Sequence, residues 1–254
     1  MILIRSIIFN ISFFGLTFVL TLLAMVLWAV APSRELAMPV LWARANVVLL
    51  RWICGIRMEV TGLEHLSPGP AVIASRHQSA FDTFVWLTLV PRCCYVLKQE
   101  LLRIPLFGKL ISHARMIAVD RGAGSVALRS LLRGGERAVA EQRQIVIFPE
   151  GTRGPPGAML PLQPGVAALA ARVDLPVIPV ATDSGLCWGR RAFWKRPGII
   201  RIAIGPPIPP GTPRAELMRV LGDWMSRLDG SPGPEHGREA TQSASKSHFP
   251  AVGS

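Results

Sequence analysis

Between Ser6 and Ser33 the chain carries no charged residue and no histidine, a stretch of 28 positions that is overwhelmingly aliphatic and aromatic. Wound as a helix it reaches about 42 Å at 1.5 Å per residue, more than the roughly 30 Å hydrocarbon thickness of a bilayer. It predicts a helix that crosses a membrane or lies deep within one. A second helical period runs from Leu36 to Ile56, with apolar Leu41, Val48, Leu49, Trp52 and Ile56 and with Arg44 and Arg51 on one face. Such a helix fits the headgroup plane of a bilayer, its arginines on lipid phosphates, and it also fits an ordinary amphipathic core helix. Placed after the first helix, it completes a greasy pair that reads as a membrane anchor over residues 1–56.

After Gly55 the pattern changes to short apolar runs bounded by Gly, Pro and polar residues. Strands are predicted at Arg57–Thr61, Ala71–Ser75, Cys94–Leu97, Met116–Val119, Gln144–Phe148, Val177–Ala181 and Ile199–Ile204. Helices are predicted at Asp82–Leu89, Ser125–Glu141, Val166–Val173 and Pro213–Leu228, the last with Thr212 placed to cap it and Gly230 past its end. Alternating strands and helices predict an α/β domain over residues 57–229. From residue 230 to 254 the chain is Ser, Gly, Pro and charge, too poor in apolar surface to offset its ordering entropy, and a disordered tail is expected.

With 254 residues there is room for one domain and an appendage. Charged residues make up only 17%, against roughly 25% in a typical soluble domain. The net charge of +12 comes mostly from arginines scattered through apolar sequence, which suits anionic headgroups or phosphorylated substrates better than nucleic acid. Cys54, Cys93, Cys94 and Cys187 show no metal-type spacing and fit a reduced cytosolic setting. Ala29-Val30-Ala31 resembles a cleavage site, but the apolar run far exceeds the roughly 7–15 residues of a signal-peptide core, so retention is expected.

Candidate chemistry gathers at strand ends. The strand Ala71–Ser75 runs into Arg76-His77-Gln78-Ser79-Ala80-Phe81-Asp82. Residues five apart do not face each other on a regular helix. His77 and Asp82 meet if His77 lies in the loop and Asp82 in the first helical turn. A carboxylate so placed fixes the imidazole tautomer and stabilises the cation formed when His77 takes a proton; Asp82 as a helix cap is the alternative. The strand Gln144–Phe148 ends in Pro149-Glu150-Gly151-Thr152-Arg153-Gly154, a turn expected to project Glu150 and Arg153 toward a hydroxyl and a phosphate. A third strand end, Asp120-Arg121-Gly122, offers another arginine.

The strings RHQSAFD, KQELLRIPLFG from Lys98 to Gly108, VDRG, FPEGTRG and VIPVA, in this order over residues 57–210, resemble the 1-acyl-sn-glycerol-3-phosphate acyltransferase family. The resemblance implies an α/β fold with a mixed, largely parallel sheet flanked by helices, preceded by an N-terminal two-helix membrane anchor. It implies transfer of a fatty acyl group from acyl-CoA or acyl-carrier protein to the sn-2 hydroxyl of lysophosphatidic acid, with no cofactor or metal, at the cytoplasmic face of the inner membrane. By the same resemblance His77 is the base and Asp82 its orienting carboxylate. Glu150 and Gly151, with Thr152, bind the glycerol part of the substrate, while Arg153, Arg121 and Lys98 lie near the acceptor phosphate, and Val177–Ala181 lines the acyl path. Three positions depart from the family pattern: Arg76 stands where many members have Asn, Leu162-Gln163 replaces Tyr-Lys, and His113-Ala114 replaces a basic start to the second motif.

Chemically, an alcohol attacking a thioester needs proton removal, which His77 supplies, and donors for the oxyanion, expected among backbone N–H groups near the helix start at Asp82. No protein nucleophile is required; Cys93 and Cys94 as acyl carriers have no visible local base. Other lyso-lipid acceptors, such as a lyso-ornithine lipid, are an alternative. A second alternative is a membrane-associated NAD(P)-dependent reductase, since Gly122-Ala123-Gly124-Ser125-Val126-Ala127 fits G-x-G-x-x-A between a strand and a helix, but no acidic residue ends a following strand at the right distance.

Overall fold

A computed structural model describes residues 1–31, 34–66, 68–104 and 107–230, so the expected tail lies outside the described residues from 231 onward. Seven strands form one sheet: β1 (Ile56–Thr61), β2 (Val72–Ser75), β3 (Cys93–Lys98), β4 (Ile117–Val119), β5 (Gln144–Ile147), β6 (Val177–Thr182) and β7 (Gly198–Ile204), in the order β1-β7-β6-β2-β5-β3-β4. Every neighbouring pair is parallel except β6 with β7. The central β2, β5 and β6 are buried along their whole length, whereas β1 at one edge alternates buried with solvated positions. That contrast follows from coverage: parallel central strands have both faces packed, and an edge strand has only one.

Alternation of side chains divides the sheet between two cores. Ile73, Val146, Ile178 and Val180 face one core, with α3 (Asp82–Leu89) packed over them. Val72, Ala74, Ile145, Ile147 and Val177 face the other, covered by α5 (Ser125–Ala140), α6 (Gly165–Val173) and α8 (Arg214–Met225). Gly134 and Gly135 sit in the middle of α5, where glycine normally weakens a helix. A Cβ at Gly135 would stand 2.4 Å from Leu169 Cδ1, and one at Gly134 would stand 2.7 Å from Ile117 Cγ2. The pair therefore lets α5 approach α6 and β4 more closely than any side chain permits.

The amphipathic period expected to run unbroken from Leu36 to Ile56 is divided. It forms α2 (Ala37–Leu49), then a π-turn Leu50–Cys54, and stops at Gly55, whose φ of 69° turns the chain into β1. Thr212 does not cap α8; its hydroxyl donates to the Pro209 carbonyl at 2.7 Å, and Pro213 occupies the N-cap. Two short helices carry too few residues for a readable period: α4 (Phe107–His113) and α7 (Ser184–Cys187).

The first helix, α1 (Ile2–Val30), is 29 residues long, and both α1 and the segment Ala37–Cys54 are long and apolar enough to cross a membrane. The pair is docked on the sheet face that carries α3. Phe9, Phe13, Trp42, Phe84 and Trp188 form an aromatic cluster, with Trp42 and Phe84 centroids 5.3 Å apart and Phe9 and Trp188 5.5 Å apart, both edge-on. Trp42 Nε1 donates to Thr17 Oγ1 at 2.8 Å, and Thr17 donates to the Phe13 carbonyl one turn back, so no polar group in this contact is wasted. The opposite surface of α1 exposes Ile4, Ile11, Phe14, Phe18 and Val26. On the outer face of the second segment, exposed Leu41, Val48 and Trp52 are interleaved with exposed Arg44 and Arg51. An apolar face rimmed by guanidiniums matches a bilayer interface.

Lys195 locks the N-terminal half of α1 to the domain. It is only 2% exposed. Its ammonium donates to Asn10 Oδ1 at 2.5 Å and to the Phe193 carbonyl at 2.9 Å, and it faces the rings of Trp188, Phe9 and Phe193 at 4.7, 5.4 and 5.7 Å. Among the described residues no carboxylate lies within ion-pairing distance, and burial pushes its pKa down to about 8. Unfolded lysine titrates near 10.4, so between these values the native protein holds fewer protons than the unfolded chain, and stability rises with pH across that window. The melting temperature in detergent is expected to climb from pH 8 toward pH 10 relative to that of Lys195→Met, measured in parallel. Identical pH slopes for the two proteins would contradict a buried, partly deprotonating lysine.

Candidate active site

The loop between β2 and α3 is fastened by nearly every polar group it owns. Arg76 N–H extends the sheet to the Val180 carbonyl at 3.0 Å. His77 N–H donates to Glu150 Oε1 at 2.9 Å, and the His77 carbonyl accepts Gly154 N–H at 2.8 Å. Gln78 Oε1 accepts Gly185 N–H at 3.0 Å. Asp82, the first residue of α3, reaches back so that its Oδ2 accepts Gln78 N–H at 2.7 Å and Ser79 N–H at 2.8 Å, and lies 3.2 Å from His77 Nδ1. His77 and Asp82 are therefore together, with the histidine in the loop and the carboxylate in the first helical turn. Asp82 caps the loop before its helix rather than the helix itself. With Nδ1–H donated to Asp82, Nε2 is the acceptor. The imidazole stacks on Phe148 at 4.1 Å and 20°, which fixes the plane of the ring.

This bonding changes where an oxyanion would be held. The amides of His77, Gln78, Ser79, Phe81 and Thr83 all donate within the protein, so most of the helix-start donors expected from sequence are occupied. Donors that border the open space beside His77 include Thr152, Lys98 and the guanidiniums described below.

Glu150 is turned inward and buried, with Oε1 on the His77 amide and Oε2 3.4 Å from Leu160 N. Burial raises its pKa, against the opposing pull of the His77 amide and Arg76. The carboxylate holds the β2–α3 loop and does not project from the turn as the sequence suggests. Two glycines follow Glu150 in the turn. Gly151 has φ 70°, and a Cβ at Gly154 would stand 2.8 Å from Glu150 Oε2. Thr152 and Arg153, between these glycines, line the cavity instead.

The cavity has a volume of about 480 Å³ and opens at the C-terminal ends of β2, β3, β4 and β5, the edge where α/β sheets gather ligands. His77, Lys98, Arg121, Thr152 and Arg153 all border it. Lys98 is paired with Glu100 at 2.7 Å. Burial lowers the pKa of Arg121 and of Arg153, and for Arg153 the field of Asp82 works in the opposite direction. From this basic mouth an apolar arm runs past Leu87, Leu101 and Ile111 to Leu20, Met38, Pro39 and Trp42 of the helix pair. Val177–Ala181 contributes nothing to its wall: β6 lies between β7 and β2 with every residue buried in the sheet.

Arg190 and Arg191 also border the cavity and are absent from the site read from sequence. The available signal was an adjacent arginine pair shortly after a strand whose end faces the ligand edge. Cys93 and Cys94 are buried free thiols outside the cavity, and burial raises both pKa values, which disfavours the thiolate an acyl carrier needs. The glycine-rich turn Gly122–Gly124 follows β4, the last strand of the sheet, so among the described residues there is no neighbouring strand on its far side to form a dinucleotide crevice. Gln163 donates its N–H to the Pro149 carbonyl at 2.7 Å, and neither Leu162 nor Gln163 borders the cavity. His113 stacks on Trp28 at 3.8 Å, joining α4 to the far end of α1, and Ala114 forms part of the cavity wall.

Arg76 points away from the cavity and is fully buried. Its guanidinium donates to the Met225 carbonyl at 3.1 Å, to the Ala158 carbonyl at 2.9 Å and to Asp229, tying the end of α8 and the 158–160 segment beneath His77. Arg76→Met leaves these acceptors unpaired and is expected to cost about 3 kcal/mol of stability, read as a lowered denaturant midpoint. A midpoint within experimental error of wild type would refute this.

The Acyltransferase family model matches residues 57–183, half of the chain. A 1-acyl-sn-glycerol-3-phosphate acyltransferase of Pseudomonas aeruginosa is 40% identical over 165 residues, covering 65% of this chain and 64% of that protein. A 1-acyl-sn-glycerol-3-phosphate acyltransferase alpha of Bos taurus is 30% identical over 185 residues, covering 71% and 64%. The chain thus spans a little under two thirds of the length of these curated relatives. The crystal structure of the 1-acyl-sn-glycerophosphate (LPA) acyltransferase PlsC from Thermotoga maritima superposes with a TM-score of 0.71 at 20% identity, over 90% of this chain and 96% of that one, and so has the same fold. With its His77–Asp82 pair and the FPEGTRG turn inside the matched region, the chain belongs to the acyltransferase family.

Proposed function

We propose that this protein transfers a fatty acyl group from a thioester donor, acyl-CoA or acyl-carrier protein, to the sn-2 hydroxyl of lysophosphatidic acid, giving phosphatidic acid. The observation that supports it is one cavity that joins a His–Asp pair, a rim of guanidiniums and an apolar arm ending at membrane-type helices. Each part answers to a part of the substrates: base to hydroxyl, cations to phosphate, apolar arm to acyl chain. The names carried by the Pseudomonas and Bos taurus relatives agree with this assignment.

In the reaction His77 Nε2 takes the hydroxyl proton as the oxygen attacks the thioester carbon, while Asp82 steadies the imidazolium through Nδ1–H. The negative oxygen of the tetrahedral intermediate is met by donors at the mouth, where Thr152 and Arg153 stand. The C–S bond then breaks, and the departing thiolate takes the proton from His77. The thioester is already activated, so no acyl-enzyme is formed and the buried cysteines take no part.

A long-chain lysolipid loses about 0.8 kcal/mol per methylene on leaving a bilayer. Acceptor capture is therefore cheapest where the cavity meets the membrane, with the arginines of the second helix on headgroup phosphates. Soluble thioester donors are cytoplasmic, which supports a location of that surface on the cytoplasmic side of the inner membrane. An acyl-transfer assay on membranes, with a panel of lyso-lipids and both donor types, is expected to give highest turnover with lysophosphatidic acid. His77→Ala should lower the rate by about 10²–10⁴ while lysolipid binding persists. Undiminished transfer by that variant, or a preferred acceptor without phosphate, would sink the proposal.

A further inference from the structure

We propose that Arg190 and Arg191 complete, with Arg153, a three-guanidinium cradle that selects acceptors carrying a dianionic phosphomonoester. This deepens the acyltransferase assignment above and rests on it.

The two arginines are the central residues of a tight turn closed by Ala192 N–H on the Gly189 carbonyl at 3.1 Å. The turn is held from both sides. Trp188 Nε1 donates to the Ala192 carbonyl at 3.2 Å, and Arg196 N–H donates to the Cys187 carbonyl at 2.8 Å. Its base is fixed to the catalytic loop through Gln78 Oε1, which accepts Gly185 N–H, and to α1 through the packing of Trp188 on Phe9. Arg191 has φ 53°, a left-handed conformation suited to glycine and uncommon for a long side chain. A strained arginine in an otherwise well-bonded turn, bordering the cavity of the general base, points to a role for its charge.

The charges around His77 are unevenly compensated. On the β3–β4 side Lys98 is paired with Glu100, and the field of Glu100 also favours the charge on Arg121. On the other side Arg153 feels the favourable field of Asp82 and the opposing fields of Arg190 and Arg191, and among the described residues none of the three arginines has a carboxylate within ion-pairing distance. Three guanidiniums without an ion pair among the described residues, all bordering one cavity, call for an anion. A phosphomonoester near pH 7 carries close to two negative charges on three terminal oxygens, and forked guanidiniums bind such oxygens in pairs.

The chemistry of the two substrates decides between them. In lysophosphatidic acid the phosphate is one carbon removed from the carbon that bears the reacting hydroxyl, so it must sit beside the base. In a pantetheine thioester the first phosphate lies a whole pantetheine arm from the reacting carbonyl. Gly154, the residue after Arg153, donates its N–H to the His77 carbonyl at 2.8 Å, and Arg153 and His77 border the same cavity, so the cradle is next to the His–Asp pair and suits the acceptor.

The test is the double variant Arg190→Ala, Arg191→Gly, in which glycine accepts the left-handed backbone. Its KM for lysophosphatidic acid should rise at least about tenfold, the equivalent of losing one charge-assisted contact, with KM for the donor and kcat at saturating acceptor within about threefold of wild type. Monoacylglycerol, which has no phosphate, should be used equally by both proteins. A second readout needs no turnover: His77→Ala protein should retain labelled lysophosphatidic acid, and addition of the double change should weaken that retention by a similar factor. An unchanged acceptor KM with unchanged retention, or a rise in the donor KM instead, overturns the cradle. Absence of transfer by wild type alongside weakened retention in the double variant would overturn the acyltransferase assignment and leave the cradle standing.

Discussion

A single oxygen, Asp82 Oδ2, receives the amides of Gln78 and Ser79 and faces Nδ1 of His77, and the site is organised around it. The amides fold the loop back over the first turn of α3, and the imidazole is placed by that fold. Glu150 repeats the device from β5 by taking the His77 amide. Two buried carboxylates thus hold one short loop, and their desolvation is offset by backbone donors that would otherwise lie unpaired. With the loop fixed on both sides and the ring stacked on Phe148, His77 keeps one orientation toward the cavity without needing substrate to set it.

The apolar helices belong to the same construction. Because α1 and α2 pack through an aromatic cluster onto the sheet face that carries α3, they wall the arm of the cavity that leads away from His77. A flexible tether would hold the domain near a membrane but leave its site facing water. A docked pair brings the mouth of the cavity and the apolar surface of α1 into one rigid frame, as the proposed transfer to a lipid hydroxyl requires. Lys195 contributes from beneath, its ammonium held by Asn10 and three rings where burial already disfavours the charge.

Much of this was readable in the amino-acid sequence, and the divide follows the range of the interactions. All seven strands lie within one or two residues of the runs between Gly and Pro punctuation, because central strands buried on both faces must be continuously apolar. The meeting of His77 with Asp82 was legible as well, since a five-residue spacing leaves a loop followed by a helical turn as the workable geometry. What stayed hidden depends on distant partners. Glu150 looks like an exposed turn residue until its place beside the His77 amide is known. Val177–Ala181 has the composition of an apolar channel, yet its neighbours in the sheet cover it completely. Arg190 and Arg191 follow β6 by several residues, and only the fastening of their turn to Gln78 and Trp188 brings them to the cavity.

The placement of buried and exposed arginine clarifies how one residue type serves opposite ends. Arg76 and Arg143 are wholly buried, and each spends its guanidinium on backbone carbonyls and a carboxylate, Arg76 on Met225, Ala158 and Asp229, Arg143 on Cys93, Ala114 and Glu141. Bonded through both terminal nitrogens, with only Nε left without a partner among the described residues, they act as rivets between elements. Arg121, Arg153, Arg190 and Arg191 border the cavity without such acceptors among the described residues, and their field extends into open space. The distinction follows from bonding capacity: a planar fork with five donors rigidifies whatever saturates it, and attracts an anion when nothing does. The excess of positive charge in this chain is therefore not uniform background, because arginines with no ion pair among the described residues concentrate it at the C-terminal edge of the sheet, beside His77.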